Sequence, residues 1–170
     1  MGRYIGVKGD EMLKGIDKLL TGDLLKVLCD MGHGDELVIA DANFPAETCA
    51  KRLIRLPGID GVRAVKAIMS VFPLDTYTDD PAIVMALTES DVKKGMRKPI
   101  IWDDYQSAVG HLKEIDRFEF YERAKNAYAV IATGEERQYA NLLLVKGVVV
   151  PEEEKNNGAL LRGAEYYRNL

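Results

Sequence analysis

Apolar residues along this 170-residue chain alternate between helical and extended spacing. Leu24, Val27, Leu28 and Met31 fall at i, i+3, i+4 and i+7, which places them on one face of a helix. Thr21 can cap that helix and Gly32 can end it, so the pattern predicts a helix over 22–31. Leu37-Val38-Ile39-Ala40 is an unbroken apolar run closed by Asp41, the signature of a strand buried on both faces. Pro45 opens a predicted helix over 46–54. Cys49, Ala50, Leu53 and Ile54 spread around a wide arc of it, with Leu56 just beyond. Such an arc needs a covering surface, either another subunit or the chain's own tail. Val62, Val65, Ile68, Met69 and Phe72 mark a further helix stopped by Pro73, and the turn residues Asp79-Asp80-Pro81 lead into a buried strand over 82–87. Helices are predicted over 103–114 and 117–127. Strands are predicted over 128–133 and 142–150, separated by a polar loop at 134–138. A turn or strand near 12–16 precedes these elements. The tail, 151–170, begins acidic and turns into a short helix carrying Tyr166 and Tyr167. Helical and strand signals that alternate in this way predict an α/β fold, with helices flanking a central mixed or parallel sheet. With no repeat or low-complexity linker, the expectation is one domain over 1–170, with its core at 12–150 and a C-terminal extension beyond.

Composition narrows the classes of function. Hydrophobic residues at 47% and charged residues at 29% suit a soluble globular protein. The net charge of −4, with Lys and Arg interleaved among acids, argues against nucleic acid as a partner. No stretch approaches the roughly 20 apolar residues of a membrane span, and the first residues resemble neither a signal peptide nor a myristoylation signal. Cys29 and Cys49 sit in apolar helical patterns, where inert buried thiols are the usual role, so a reducing cytoplasm is the expected location. The only histidines are His33 and His111, and no Cys or His pair has metal-ligand spacing. Gly32-x-Gly34 lacks the third glycine of a dinucleotide loop and precedes a strand instead of following one. No metal or other cofactor is therefore expected.

Three segments carry candidate chemistry. In Gly32-His33-Gly34-Asp35 an imidazole sits between two glycines, and imidazole titrates near neutrality with an ordinary pKa of about 6.5. Asp41 ends the following strand at the carboxyl edge of the sheet, where α/β proteins bind ligands. Asn43 follows in an irregular stretch held by Pro45. These same residues would also serve as plain turn and cap groups. In Arg117-Phe118-Glu119-Phe120-Tyr121-Glu122-Arg123-Ala124, a helix puts Arg117 and Tyr121 on one face. There they either bind polyol hydroxyls or belong to a surface Arg–Glu lattice over an aromatic core. In Tyr139-Ala140-Asn141, an extended backbone would point Tyr139 and Asn141 to the same side. A phenol beside a carboxamide suits a sugar ring; the alternative is an edge aromatic at the start of a strand.

The ordered set Met12-Leu13-Lys14-Gly15-Ile16, Gly32-His33-Gly34-Asp35, Asp41-Ala42-Asn43-Phe44-Pro45, Phe120-Tyr121-Glu122-Arg123-Ala124 and Tyr139-Ala140-Asn141 resembles the L-fucose mutarotase and D-ribose pyranase family across roughly 12–150. The resemblance implies an isomerase that interconverts sugar anomers without a cofactor. His33 would be the proton donor, Asp41 would contact the sugar, and Arg117, Tyr139, Ala140 and Asn141 would line the pocket. It further implies a ring-like homo-oligomer, typically a decamer, with the active site near a subunit interface. Arg117, where the ribose branch tends to have His, and the Phe-Tyr-Glu-Arg-Ala string resemble the fucose branch. The alternatives are a pyranase or mutarotase for ribose or another neutral sugar, and a sugar-binding protein without catalysis.

Overall fold

A computed structural model describes residues 13–151. Thr21 caps α1 (Gly22–Asp30) by accepting the Leu24 N–H. β1 (Glu36–Ala40), α2 (Ala46–Cys49) and β2 (Leu53–Leu56) follow, and Asp60 caps α3 (Gly61–Met69) through the Arg63 N–H. Next come β3 (Ala82–Met85), α4 (Glu89–Lys93), α5 (Ile101–Val109) and β4 (Lys113–Ile115). α6 (Arg117–Asn126), β5 (Ala129–Thr133) and β6 (Leu142–Val145) are the last elements among the described residues.

The six strands form one mixed sheet in the order β2-β5-β1-β6-β3-β4. β2, β5 and β1 are parallel neighbours, β3 and β4 are parallel, and β6 runs antiparallel between β1 and β3. Burial on both faces explains the unbroken apolar runs. Leu37, Ile39, Ile131, Leu142 and Leu144 belong to a core with Leu24 and Leu28 of α1, Ile68 of α3 and Tyr105 of α5. Val38, Ala40, Val130, Leu143 and Val145 belong to a second core with Ala46 and Cys49 of α2 and Phe120 and Ala124 of α6. The helices therefore flank the sheet as expected.

Several expected elements change. The helix predicted over 46–54 is α2 followed by β2: Ala50 is extended (φ −76°, ψ 130°), and Leu53–Leu56 pair with Val130–Thr133. Cys49 and Leu56 are buried within the same chain and Ala50, Leu53 and Ile54 half-buried, so the apolar arc reflects a change of element from helix to strand. The helix predicted over 103–114 stops at Gly110, whose φ of 83° is a left-handed conformation that favours glycine. Residues 113–115 then form the edge strand β4. α4 is unforeseen, because it buries nothing and so has no apolar period. β6 ends at Val145, with Lys146 making a single bridge to Leu74, and residues 147–150 form no strand. Residues 13–16 form a turn. Cys29 is exposed, contrary to the expectation of a buried thiol, because it lies outside the Leu24–Leu28 face of α1; Cys49 is buried, and both are free. The predicted tail helix lies outside the described residues.

The loop between β5 and β6 is held by a buried carboxylate. Glu135 accepts the Gly61 N–H at 3.0 Å, the Arg137 N–H at 2.9 Å and two guanidinium N–H groups of Arg137 at 2.8 and 2.7 Å. The Arg137 side chain is the largest cause holding its carboxyl down at about 2, against an ordinary 4.5. A carboxyl with a lower pKa in the folded chain contributes its full stability above the unfolded value and loses it as pH falls through the folded one. Stability should therefore drop between about pH 4.5 and 2. Glu135→Gln should flatten that part of the profile and lower stability at neutral pH by about 1–3 kcal/mol. Denaturant titrations across this pH range measure both effects, and an unchanged acid profile in the variant would contradict the assignment.

Candidate active site

Because β6 is antiparallel to β1 and β3, its first residue lies beside their carboxyl ends: Leu142 is opposite Ile39 on one side and Val84 on the other. A cleft of about 430 Å³ opens at this edge, the position where open α/β sheets take ligands. Asp41, Asn43 and Phe44 after β1, Met85 at the end of β3, Arg117 and Tyr121 on α6, and Gln138, Tyr139 and Asn141 before β6 line it. A larger groove of about 550 Å³ lies between the amino end of β1 and α6. Its cations are already engaged: Arg123 with Glu36, Lys51 with the Asn126 carbonyl, and Arg52 with the Tyr128 carbonyl.

Asp41 and Asn141 form a reciprocal pair across 100 residues of sequence. The Asp41 N–H donates to Asn141 Oδ1 at 2.9 Å, and Asn141 Nδ2 donates to Asp41 Oδ2 at 2.9 Å. Asp41 Oδ1 also accepts the Asn43 N–H at 2.9 Å. Burial pushes the Asp41 carboxyl above its ordinary range, more strongly than these hydrogen bonds pull it down. Burial likewise raises the Tyr121 phenol. Tyr121 stacks on Phe44 with ring centroids 5.5 Å apart and planes 16° apart. The cleft thus presents a carboxyl, a phenol, a guanidinium and carboxamides beside a flat aromatic wall. These groups can bind hydroxyls, pack against an apolar ring face and exchange a proton.

The site residues expected from the sequence separate into two places. Asp41, Arg117, Tyr139 and Asn141 meet in the cleft, and the α6 spacing places Arg117 and Tyr121 together as predicted. Ala140 does not line it. That residue is buried beneath, and its carbonyl accepts the Tyr105 hydroxyl at 2.8 Å. The segment is also not extended: Tyr139 has φ 59°. His33 lies beyond the amino end of β1, about 16 Å of strand away from Asp41. Gly34 is left-handed (φ 84°) and donates its N–H to the Lys146 carbonyl at 2.8 Å. Lys146 Nζ binds the Leu28 and Met31 carbonyls at the end of α1. This arrangement leaves the His33 side chain 47% exposed, with Nε2 3.1 Å from Asp75 Oδ1 and its ring 5.3 Å from that of Tyr77. Asp75 was not singled out from the sequence, nor were Met85 and Gln138. Among the described residues, no group of three or more His, Cys, Asp or Glu is placed to hold a metal ion, and no helix is long and apolar enough to cross a membrane.

Residues 14–149 match the family described as the RbsD / FucU transport protein family. The chain belongs to this family. It is 51% identical over 152 residues to a fucose mutarotase of Danio rerio, covering 84% of this chain and 98% of that one. The structure of the fucose mutarotase in complex with L-fucose from Streptococcus pneumoniae superposes with a TM-score of 0.75 at 42% identity, covering 81% of this chain and 100% of that one. Bacillus subtilis RbsD complexed with D-ribose is a more distant family member, with a TM-score of 0.59 at 26% identity over 77% of this chain and 95% of that one.

The Asp41–Asn141 pair gives this family member a measurable feature. Asn141→Ala removes both partners of Asp41 on that side and leaves a buried N–H unsatisfied. The expected loss is about 2 kcal/mol of unfolding free energy, read from urea unfolding midpoints. A loss below a few tenths of a kcal/mol would show that the pair is not a structural joint.

Proposed function

We propose that this protein is a cofactor-independent isomerase that interconverts the α and β anomers of L-fucose. The observation that carries the proposal is the buried Asp41 carboxyl opening into a cleft whose other walls are the Tyr121 phenol, Arg117 and the Phe44 ring. The polar groups suit sugar hydroxyls, and Phe44 with Met85 offers an apolar surface to the methyl group of a deoxy sugar. Identity to fucose mutarotases over most of the chain supports the fucose branch over ribose.

The chemistry needs little machinery. A proton goes to the ring oxygen, the bond from C1 to that oxygen breaks, and the anomeric hydroxyl passes its proton to a water molecule as the C1 carbonyl forms. The carbonyl rotates, and closure on its other face reverses these transfers. Groups that exchange protons near neutrality suffice. In this proposal His33 is the proton donor, and Asp41, Arg117, Tyr139 and Asn141 hold the sugar. His33 and Asp41 stand at opposite ends of β1, so the complete site takes His33 from a neighbouring copy. The proposal therefore includes a ring-like homo-oligomer, ten subunits by the family resemblance, acting in the cytoplasm. The same separation favours one rival: a protein that binds the monosaccharide in the cleft without catalysing its exchange.

Exchange NMR of the anomeric protons with a panel of sugars separates the two. L-Fucose should exchange faster than D-ribose under matched conditions, and His33→Ala should slow exchange by on the order of 10² or more while leaving the fold intact. Saturation transfer to bound sugar without accelerated exchange would instead favour the binding protein. Light scattering coupled to size exclusion tests the shared site: a fully active species at the chain mass of 18.9 kDa would refute it.

A further inference from the structure

Tyr139 is the only non-glycine residue among those described with a positive φ, at 59°. A side chain in this left-handed conformation persists where its surroundings fix it, and here three groups do so. Trp102 Nε1 donates to the Tyr139 carbonyl at 2.8 Å. The Tyr139 hydroxyl donates to Asp91 Oδ2 at 2.6 Å and accepts the Thr88 N–H at 3.2 Å. Thr88 Oγ1 in turn donates to Asp91 Oδ2 at 2.8 Å and accepts the Asp91 N–H at 3.2 Å, capping α4. α4 buries no residue, so it adds nothing to either core. Its hydrogen bonds to the cleft run through this one phenol, beside a weaker charge attraction between Asp91 and Arg117. The Asp91 carboxyl is held below its ordinary range, first of all by the Tyr139 hydroxyl and next by Thr88, which matches a carboxylate committed to these donors.

We propose that Asp91, braced by Thr88, is a positioning residue that holds Tyr139 and through it the Tyr139–Asn141 wall of the cleft. The idea rests on the cleft being the sugar site, but its physical core does not depend on activity. With the phenol anchored, the strained backbone at Tyr139 directs Asn141 toward Asp41 on one side and holds the ring against the cleft on the other. Without the anchor, the Tyr139 backbone is free to relax, and the wall loses its fixed position before any sugar binds.

The chain has a single tryptophan, and its indole N–H bonds directly to the Tyr139 carbonyl, so one indole resonance in a nitrogen-15 spectrum reports the position of the wall. Asp91→Ala should shift that resonance, whereas Asp91→Asn, whose side-chain oxygen still accepts the phenol proton, should leave it near its wild-type position. In a Tyr139→Phe background, Asp91→Ala should add no further shift, because the bond it removes is already gone. In the anomer exchange of L-fucose, Asp91→Ala should lower kcat/KM by about tenfold, mainly through KM, with Asp91→Asn restoring most of it. An indole shift in Asp91→Ala that is equally large in the Tyr139→Phe background would mean that Asp91 only stabilises α4, and would overturn the proposal. So would an unmoved resonance. Wild-type protein that exchanges no sugar, with the indole pattern as expected, would defeat the mutarotase reading while leaving the positioning role intact.

Discussion

The antiparallel pairing of β6 joins the molecule. β2, β5 and β1 form one parallel group and β3 and β4 another, and among the described residues the ladders on the two edges of β6 join them in one sheet. Leu142, Leu143 and Leu144 are fully buried, alternating between the two cores. At roughly 1.5–3 kcal/mol for each buried side chain, this short strand anchors both layers. Its direction also decides where the functional residues go. A parallel strand here would put its first residue at the His33 end of the sheet. The antiparallel strand instead delivers Tyr139 and Asn141 to the carboxyl ends of β1 and β3, where Asp41 and Met85 already stand.

That placement explains why the cleft tolerates a buried carboxyl. Asp41 is taken out of water by the same packing that buries Ala40 and Phe44, which raises its pKa. Asn141 meets this with one acceptor and one donor, matching the Asp41 backbone N–H and its carboxylate in turn. A carboxamide is the side chain that can do both at once. Glu135 is a contrasting case within the same loop. It is also buried, yet the Arg137 guanidinium and two backbone N–H groups keep it firmly ionised. One carboxylate serves the architecture and cannot exchange protons near neutrality. The other is left with a raised pKa facing the cleft.

The legible parts of the sequence were those where a single period and a cap agreed. Thr21 with Leu24 and Leu28 specifies α1, and the Leu37–Ala40 run specifies β1. The spacing of Arg117 and Tyr121 places both in the cleft. Ambiguity arose where the same apolar residues fit two periods. Leu53 and Ile54 continue the helical arc of Cys49 and Ala50, but they also read as a strand, and pairing with β5 decides in favour of the strand. Such tertiary pairing has no local signal. The edge strand β4 is Lys113-Glu114-Ile115, too short and too polar to announce itself. α4 shows only the Thr88-x-x-Asp91 cap, a signal usable in principle but without an apolar face to support it. The left-handed Tyr139 was hidden for the opposite reason: nothing in a tyrosine suggests φ above zero, and distant Asp91, Trp102 and Thr88 impose it.

The position of His33 was legible too, and it constrains the chemistry. A residue that precedes a five-residue strand and one that follows it cannot meet across that strand, whatever the side-chain rotamers. The Gly34 turn, the Lys146 cap on α1 and the Asp75 carboxylate fix His33 firmly at its own end. Moving it toward Asp41 would require unpicking the β1–β6 ladder on which both cores depend. If His33 protonates the sugar held by Asp41, the two groups must therefore come from different copies of the chain, and assembly is then a requirement of the reaction and not merely of stability. The apolar arc around Cys49 is divided between α2 and the edge strand β2, with Ala50, Leu53 and Ile54 half-buried, and is not what argues for assembly. The case for a shared site rests instead on the separation of two polar groups along one strand.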